Sequence, residues 1–226
     1  HLRGNSMKVY MEQDILQEND NQADENRDLF GGTLVINIIG SPGCGKTTLL
    51  EKTIEALKDE FRLAVIEGDI YTTRDAERIG KYNVPTVQVN TAGGCHLSAE
   101  ITSQAASDFD LSDIDILIIE NVGNLVCPAE FDLGEDCKVA VLSVVEGDDK
   151  PAKYPLLFSE AGVVLITKTD LLPYTNFDME SAQKDIRGLN ADAPIYEMDV
   201  LHEKGLEQWL DWLREQCKAK SISKTF

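Results

Sequence analysis

The chain has 226 residues, with 40 Asp and Glu against 21 Lys and Arg, for a formal net charge of −19. At 42% hydrophobic and 27% charged it is globular in composition, and its length fits one α/β domain that buries roughly 70% of the surface of its unfolded chain. Such acidity excludes nucleic acid as a partner, because duplex binding rests on clustered Lys and Arg; from Tyr82 to Cys137 there is neither, against ten carboxylates, so a partner there is a cation or a basic surface.

Residues 1–6, ahead of Met7, read as an expression scar and stand outside the fold argument. Residues 7–32 form an N-terminal segment. Its stretch 11–30 is polar and acidic with scattered apolar positions, and predicts a loosely attached helix ending at Gly31-Gly32, or disorder. Residues 33–226 form one domain in which β-rich runs near 34–39, 62–66, 84–89, 114–119, 138–144, 163–167 and 194–197 alternate with helical patterns near 46–59, 73–81, 97–107, 154–160, 179–189 and 204–220. Unbroken apolar strands imply burial on both faces, and the alternation implies crossovers. The fold class is therefore α/β: a three-layer P-loop NTPase with a mostly parallel central sheet and helices on both faces. No apolar run approaches the roughly 20 residues that span a bilayer and no signal peptide is read, which predicts a cytoplasmic protein without membrane contact. Five cysteines in a chain of this size point to thiol or metal chemistry rather than a disulfide framework.

Gly40-Ser41-Pro42-Gly43-Cys44-Gly45-Lys46-Thr47 fits Gly-x4-Gly-Lys-Ser/Thr between a predicted strand and a predicted helix. There the chemistry is specific: Gly40, Gly43, Cys44 and Gly45 turn backbone N–H groups toward phosphate oxygens, and the helix end that begins with Lys46, Thr47 and Thr48 adds positive potential. Lys46 reaches the β- and γ-phosphates and the Thr47 hydroxyl serves Mg²⁺, while Cys44 reads as a small filler. Asp69 and Asp75, past the second strand, are candidates for the Mg²⁺ shell or for orienting the attacking water. Glu120, where the fourth strand ends, is the favoured Mg²⁺ carboxylate, with Gly123 as γ-phosphate sensor. Thr167-Lys168-Thr169-Asp170 resembles the guanine signature Asn-Lys-x-Asp, with Asp170 accepting from the base and the Lys168 stem stacking on it; Thr167 replaces the usual Asn. Together these select GTP, and GDP as product.

Cys95-His96 after Gly93-Gly94, and Cys127 further on, supply two thiolates and an imidazole, a soft set for Ni²⁺ or Zn²⁺. Three ligands leave a position open or shared with a second subunit, which suits delivery of a metal better than permanent retention. Cys137 and Cys217 read as structural.

Taken together, the phosphate loop, Glu67-Gly68-Asp69-Ile70, Cys95-His96-Leu97, Glu120-Asn121-Val122-Gly123-Asn124-Leu125-Val126-Cys127-Pro128 and Glu146-Gly147-Asp148-Asp149 resemble the hydrogenase nickel-incorporation GTPases of the HypB family, over Thr33 to about Leu213. The resemblance implies a SIMIBI-class P-loop GTPase that dimerises around nucleotide and couples slow GTP hydrolysis to nickel delivery during [NiFe]-hydrogenase maturation. It implies the roles given above for Lys46, Thr47, Glu120, Cys95, His96 and Cys127, and makes Lys153 a lysine that reaches the nucleotide of the other subunit. A HypA-type small zinc protein and the hydrogenase large-subunit precursor are the implied partners. The Cys-rich amino-terminal motif of some relatives is missing, and Asp199 stands where the family has a Ser beside the base, which with Thr167 puts full guanine affinity in question. Rival readings are an accessory GTPase for another metalloenzyme such as urease, whose relatives carry Cys-x-His rather than adjacent Cys-His, a P-loop small-molecule kinase, and a nucleotide-gated metal-binding module whose hydrolysis is incidental.

Overall fold

Successive strands of the sheet are joined by crossovers that cover one face or the other, and this is what the runs of buried β-branched residues demand. The computed structural model describes residues 12–69 and 74–223, with side chains over 13–69 and 77–222. Its strands are β1 (Leu34–Gly40), β2 (Leu63–Asp69), β3 (Thr86–Asn90), β4 (Ile116–Glu120), β5 (Cys137–Ser143), β6 (Ala161–Thr167) and β7 (Ile195–Glu197). They lie in the order β3-β2-β4-β1-β5-β6-β7, and all ladders are parallel, so the mostly parallel sheet read from sequence is parallel throughout.

The helices are α1 (Glu12–Phe30), α2 (Lys46–Leu57), α3 (Arg74–Gly80), α4 (Ala99–Ala106), α5 (Cys127–Glu130), α6 (Lys150–Lys153), α7 (Pro155–Glu160), α8 (Met179–Leu189) and α9 (Leu206–Ser223). Along the central strands alternate side chains enter opposite layers. Ile36, Ile38, Ile116 and Ile118 pack with Leu50 and Ile54 of α2 and Trp209 and Leu213 of α9, whereas Val35, Leu117 and Ile119 pack with Leu97 and Ala106. The period of two, buried on both sides, is the physical content of the unbroken apolar runs.

Three expectations change. Strand β2 runs on to Asp69 because its ladder with β3 continues to the pair Asp69 and Asn90, so Glu67 and Asp69 lie on the strand rather than past it. The helix read near 154–160 is α7, but a one-turn helix that was not read, α6, comes directly before it, and each opens with a proline in its first turn. Helix α1 is not loosely attached: its Asn26 is 0% exposed and its Asn19 8%, and both bond to backbone of the domain. Beside the buried Ala23 and Phe30 its anchors are these amides, and a hydrophobic periodicity is blind to them. The reading of residues 1–6 lies outside the described residues. Among the described residues no helix is long and apolar enough to cross a membrane.

All seven strands point their carboxyl ends at one rim. Gly40, Asp69, Asn90, Glu120 and Thr167 each end a strand there, and the chain turns both ways from β1, which places the ligand crevice over that strand's end.

Candidate functional site

The loop after β1 is shaped by glycine. Gly45 caps α2 at φ +102° and Gly43 lies at φ +76°, conformations that an L side chain resists. At Gly40 a Cβ would come within 2.6 Å of the Cys44 sulfur and 2.7 Å of the Val141 carbonyl oxygen. The Lys46 ammonium bridges the carbonyl oxygens of Gly40 and Ser41, at 3.0 and 3.2 Å. This buried cation, 7% exposed, arches over a cavity of about 410 Å³ lined also by Gly43, Gly45, Thr47, Thr48, Asp69, Glu120, Gly123 and Lys168. A concave bed of amides at a helix N-terminus with a lysine across its mouth is a phosphate receptor. Cys44 takes no part in chemistry: it is fully buried, and burial pushes its thiol up to about 11, so it remains protonated and fills space.

Thr47 donates its hydroxyl to Glu120 Oε1 at 2.8 Å, which brings together two of the residues assigned to Mg²⁺. Glu67 was read only as one acid among those of the segment 67–75 and given no separate role, yet the ladder between β2 and β4 sets it directly beside Glu120, and it is 2% exposed and lines the same cavity. The signal was available in the parallel pairing of two strands that both end in acid. The donors gathered here are hydroxyl and carboxylate oxygens, which fit a hard divalent cation such as Mg²⁺. Asp75 lies in the first turn of α3, and its side chain lies outside the described residues. Arg78, further along α3, also lines the cavity and was missed; it forks onto both oxygens of Glu51 at 3.1 and 2.5 Å and reaches Thr48 Oγ1 at 3.3 Å.

A second cavity, of about 300 Å³, is lined by Thr167, Asp170, Leu171, Asp199, Val200 and Leu201 and shares Gly45, Thr48 and Lys168 with the first. Thr167 donates its hydroxyl to the Cys44 carbonyl at 2.7 Å and Lys168 donates to the Gly43 carbonyl at 2.6 Å, so the base loop is tied to the phosphate loop at two points. The threonine in place of asparagine therefore keeps a structural duty. Asp170 is exposed and open to a base, while Asp199 is 2% exposed and holds His202 at 2.6 Å.

The sulfurs of Cys95 and Cys127 lie 2.8 Å apart, and His96 Nδ1 is 3.5 Å from Cys95. Ligand atoms of all three fall within 4.8 Å of one another, so the trio assembled from separate loops is real in space. The His96 ring stacks on Phe131 with centroids 3.8 Å apart, and burial pulls its imidazole down toward the neutral, ligating form. The bond with Cys95, and then burial, hold the Cys127 thiol above the ordinary thiol range. Lys153, by contrast, sits on α6 away from both cavities, exposed and paired with Asp149.

The two sites touch through one segment. Gly123 lies so close to the phosphate loop that a Cβ on it would meet Pro42 at 2.9 Å. Next to it, Asn124 donates to the Cys95 carbonyl at 3.5 Å. Asn121, 1% exposed, accepts from Leu97 N–H at 3.2 Å and Val122 N–H at 2.9 Å and donates to Asn37 Oδ1 at 3.1 Å. Asn37 in turn donates to Glu135 Oε1 at 3.0 Å.

Comparison with known proteins agrees with this geometry. The model of the CobW/HypB/UreG nucleotide-binding domain matches residues 34–197. The hydrogenase maturation factor HypB of Escherichia coli K12 is 49% identical over 220 residues, 96% of this chain and 76% of that protein. A crystal structure of hydrogenase maturation factor HypB from Archaeoglobus fulgidus superposes with a TM-score of 0.84 at 39% identity, covering 89% of this chain and 99% of that one. HypB from Helicobacter pylori in complex with nickel superposes at 0.83 with 41% identity, over 89% and 96%.

Proposed function

The chain belongs to the CobW/HypB/UreG family of nucleotide-binding proteins, among its hydrogenase maturation factors, and from that premise we propose that it is a slow GTPase that loads Ni²⁺ on Cys95, His96 and Cys127 and yields it under nucleotide control. One observation carries this reading: the sulfur and imidazole ligands lie at the same rim as the phosphate loop, and a single segment, Glu120 to Cys127, lines the nucleotide cavity at one end and supplies a metal ligand at the other.

The Gly40–Thr47 amides and Lys46 bind the triphosphate, and Asp170 accepts from the guanine N1–H and N2–H pair, which adenine lacks. Thr47 and Glu120, with Glu67 and Asp69 nearby, would hold Mg²⁺, which when bound neutralises phosphate charge. Gly123 lies against Pro42, so the presence of a γ-phosphate fixes where that backbone sits. Loss of the γ-phosphate relaxes 121–127, which carries Cys127 and, through Asn121 and Asn124, bears on Leu97 and Cys95. Slow turnover follows from Arg78 being engaged by Glu51 on both carboxylate oxygens instead of presented to phosphate.

In this reading GTP favours a homodimer in which Lys153 crosses to the other subunit's nucleotide. Zn²⁺ competes for the same soft ligands. A HypA-type small zinc protein and the hydrogenase large-subunit precursor stand before and after this protein in nickel transfer. Calorimetric titration of Ni²⁺ into the protein held with GDP and with a non-hydrolysable GTP analogue tests the coupling: different affinities are expected, and equal ones overturn it.

A further inference from the structure

Helix α1 carries two asparagines seven residues apart, on one face and two turns from each other. Each bridges the same two segments of the domain. Asn26 donates to the carbonyl oxygens of Ala99 and Leu133 at 2.8 and 2.9 Å. Asn19 donates to the Asp132 carbonyl at 2.7 Å and accepts from Ala99 N–H at 2.9 Å. Ala99 lies three residues past His96. Asp132 and Leu133 follow Phe131, on which His96 stacks, in the segment that Cys127 opens. The two strips that α1 ties together thus continue from the two loops that carry the candidate metal ligands.

The arrangement is specific in its detail. Gln22 donates to Asn26 Oδ1 at 3.1 Å, so the Asn26 amide is oriented with both hydrogens toward the two strips. Gly134, at φ +85°, lets the helix backbone close in, since a Cβ there would lie 2.6 Å from the Ala23 carbonyl oxygen. Arg27 pairs with Asp132 at the edge of the same contact.

We infer that α1 is a clasp for the metal site, with Asn19 and Asn26 as positioning residues that set the separation of the Cys95-His96 loop from the Cys127–Phe131 loop. Neither touches the metal. They act as supports of ligands do, by fixing the backbone from which ligands project, and loss of such supports lowers metal affinity by about 10- to 100-fold. The inference rests on the proposed reading of Cys95, His96 and Cys127 as the Ni²⁺ site.

The experiment titrates Ni²⁺ into the full chain and its Asn19→Ser, Asn26→Ser and Cys127→Ser variants. It follows heat and thiolate-to-nickel charge-transfer absorption, with affinity for a GTP analogue measured in parallel. Asn19→Ser and Asn26→Ser are expected to weaken Ni²⁺ binding about tenfold or more and to change the charge-transfer band while leaving nucleotide affinity intact. Asn19→Gln, able to restore both bonds through a longer arm, should recover part of the loss. Should Asn26→Ser fail to fold, Asn19→Ser, at the less deeply buried of the two positions, decides alone. Wild-type Ni²⁺ affinity and spectrum in folded Asn variants, with Cys127→Ser impaired, overturn the clasp and leave the metal site standing. Undiminished binding in Cys127→Ser overturns both.

Discussion

Substitution of Asn121 tests the junction between the two sites. In Asn121→Ala the Leu97 N–H, the Val122 N–H and Asn37 Oδ1 each lose a partner, in a region where Asn121 and Asn37 are 1% and 0% exposed. At about 1 kcal/mol for each orphaned buried group the loss is about 3 kcal/mol, a sizeable share of the roughly 5–15 kcal/mol that holds a domain folded. Asn121→Asp keeps the shape and sharpens the question, because the chain of bonds has a direction. Leu97 N–H points into Asn121, Asn121 into Asn37, and Asn37 into Glu135, whose second oxygen takes Leu133 N–H at 2.6 Å. An aspartate at 121 sets two acceptors face to face, and turning Asn37 over only moves the clash to Glu135. One proton resolves it. Burial already raises the Glu135 carboxyl above its ordinary value, so the folded protein binds a proton there more readily than the unfolded chain does, and the contribution of Glu135 to stability declines as pH rises above the ordinary carboxylate range. Asn121→Asp steepens that slope. Urea unfolding followed by circular dichroism should give a lower midpoint than wild type for both variants at pH 8; as pH falls toward 5 the gap to wild type at the same pH should narrow for Asn121→Asp and stay for Asn121→Ala. Midpoints equal to wild type, or no recovery in Asn121→Asp, refute the directional chain.

Asp170→Asn replaces an acceptor by a group that also donates. GTP should bind at least about 10²-fold more weakly, since two bonds to a charged group at about 1.5 kcal/mol each are lost, while XTP, with a carbonyl where guanine has its amine, should gain; fluorescent-analogue competition reads both. Nickel binding should strengthen with pH. Burial keeps His96 neutral to lower pH than a free imidazole, whereas the Cys127 thiol, raised by its bond with Cys95 and by burial, must lose its proton to ligate, so affinity rises by about tenfold per pH unit for each thiol proton released until that thiol titrates. Titrations in buffers of different ionisation enthalpy count those protons, and release of none would contradict thiolate ligation.

What the sequence made legible was whatever local chemistry dictates. Glycine spacing, a lysine and a threonine at a helix start, and strands apolar on both faces each have one structural solution, so the phosphate loop, the parallel sheet and the meeting of Thr47 with Glu120 could be read directly. The metal trio was legible as residue types, but spacing alone could not show that Cys95 and Cys127 meet. Less visible were residues whose role is set by register or by long-range packing. Glu67 became part of the site through its pairing beside Glu120, and Asn19, Asn26, Asn37 and Asn121 form a buried polar framework that no hydrophobic period marks. An amide reads as surface in sequence and as a bracket only once its partners, in some cases more than 70 residues away, are in place.

The size of the nucleotide effect on metal is bounded by these same contacts. A ligand shifts an equilibrium only by the difference in its interactions with the two states. If Asn121 alone transmitted the change, the bond to Leu97 would be the element at stake, and one net hydrogen bond of about 1 kcal/mol permits about a fivefold change in Ni²⁺ affinity. The Asn124 bond to Cys95 is long at 3.5 Å and adds less. A ratio well above fivefold between GDP and GTP-analogue states therefore requires Cys127 itself to move with the 121–127 backbone, because displacing a ligand forfeits much more than one hydrogen bond. Measured beside Asn121→Ala, the ratio separates these routes: a small ratio abolished by the substitution assigns the coupling to the bracket. A large ratio that survives it assigns the coupling to the main chain between Gly123, held against Pro42, and Cys127.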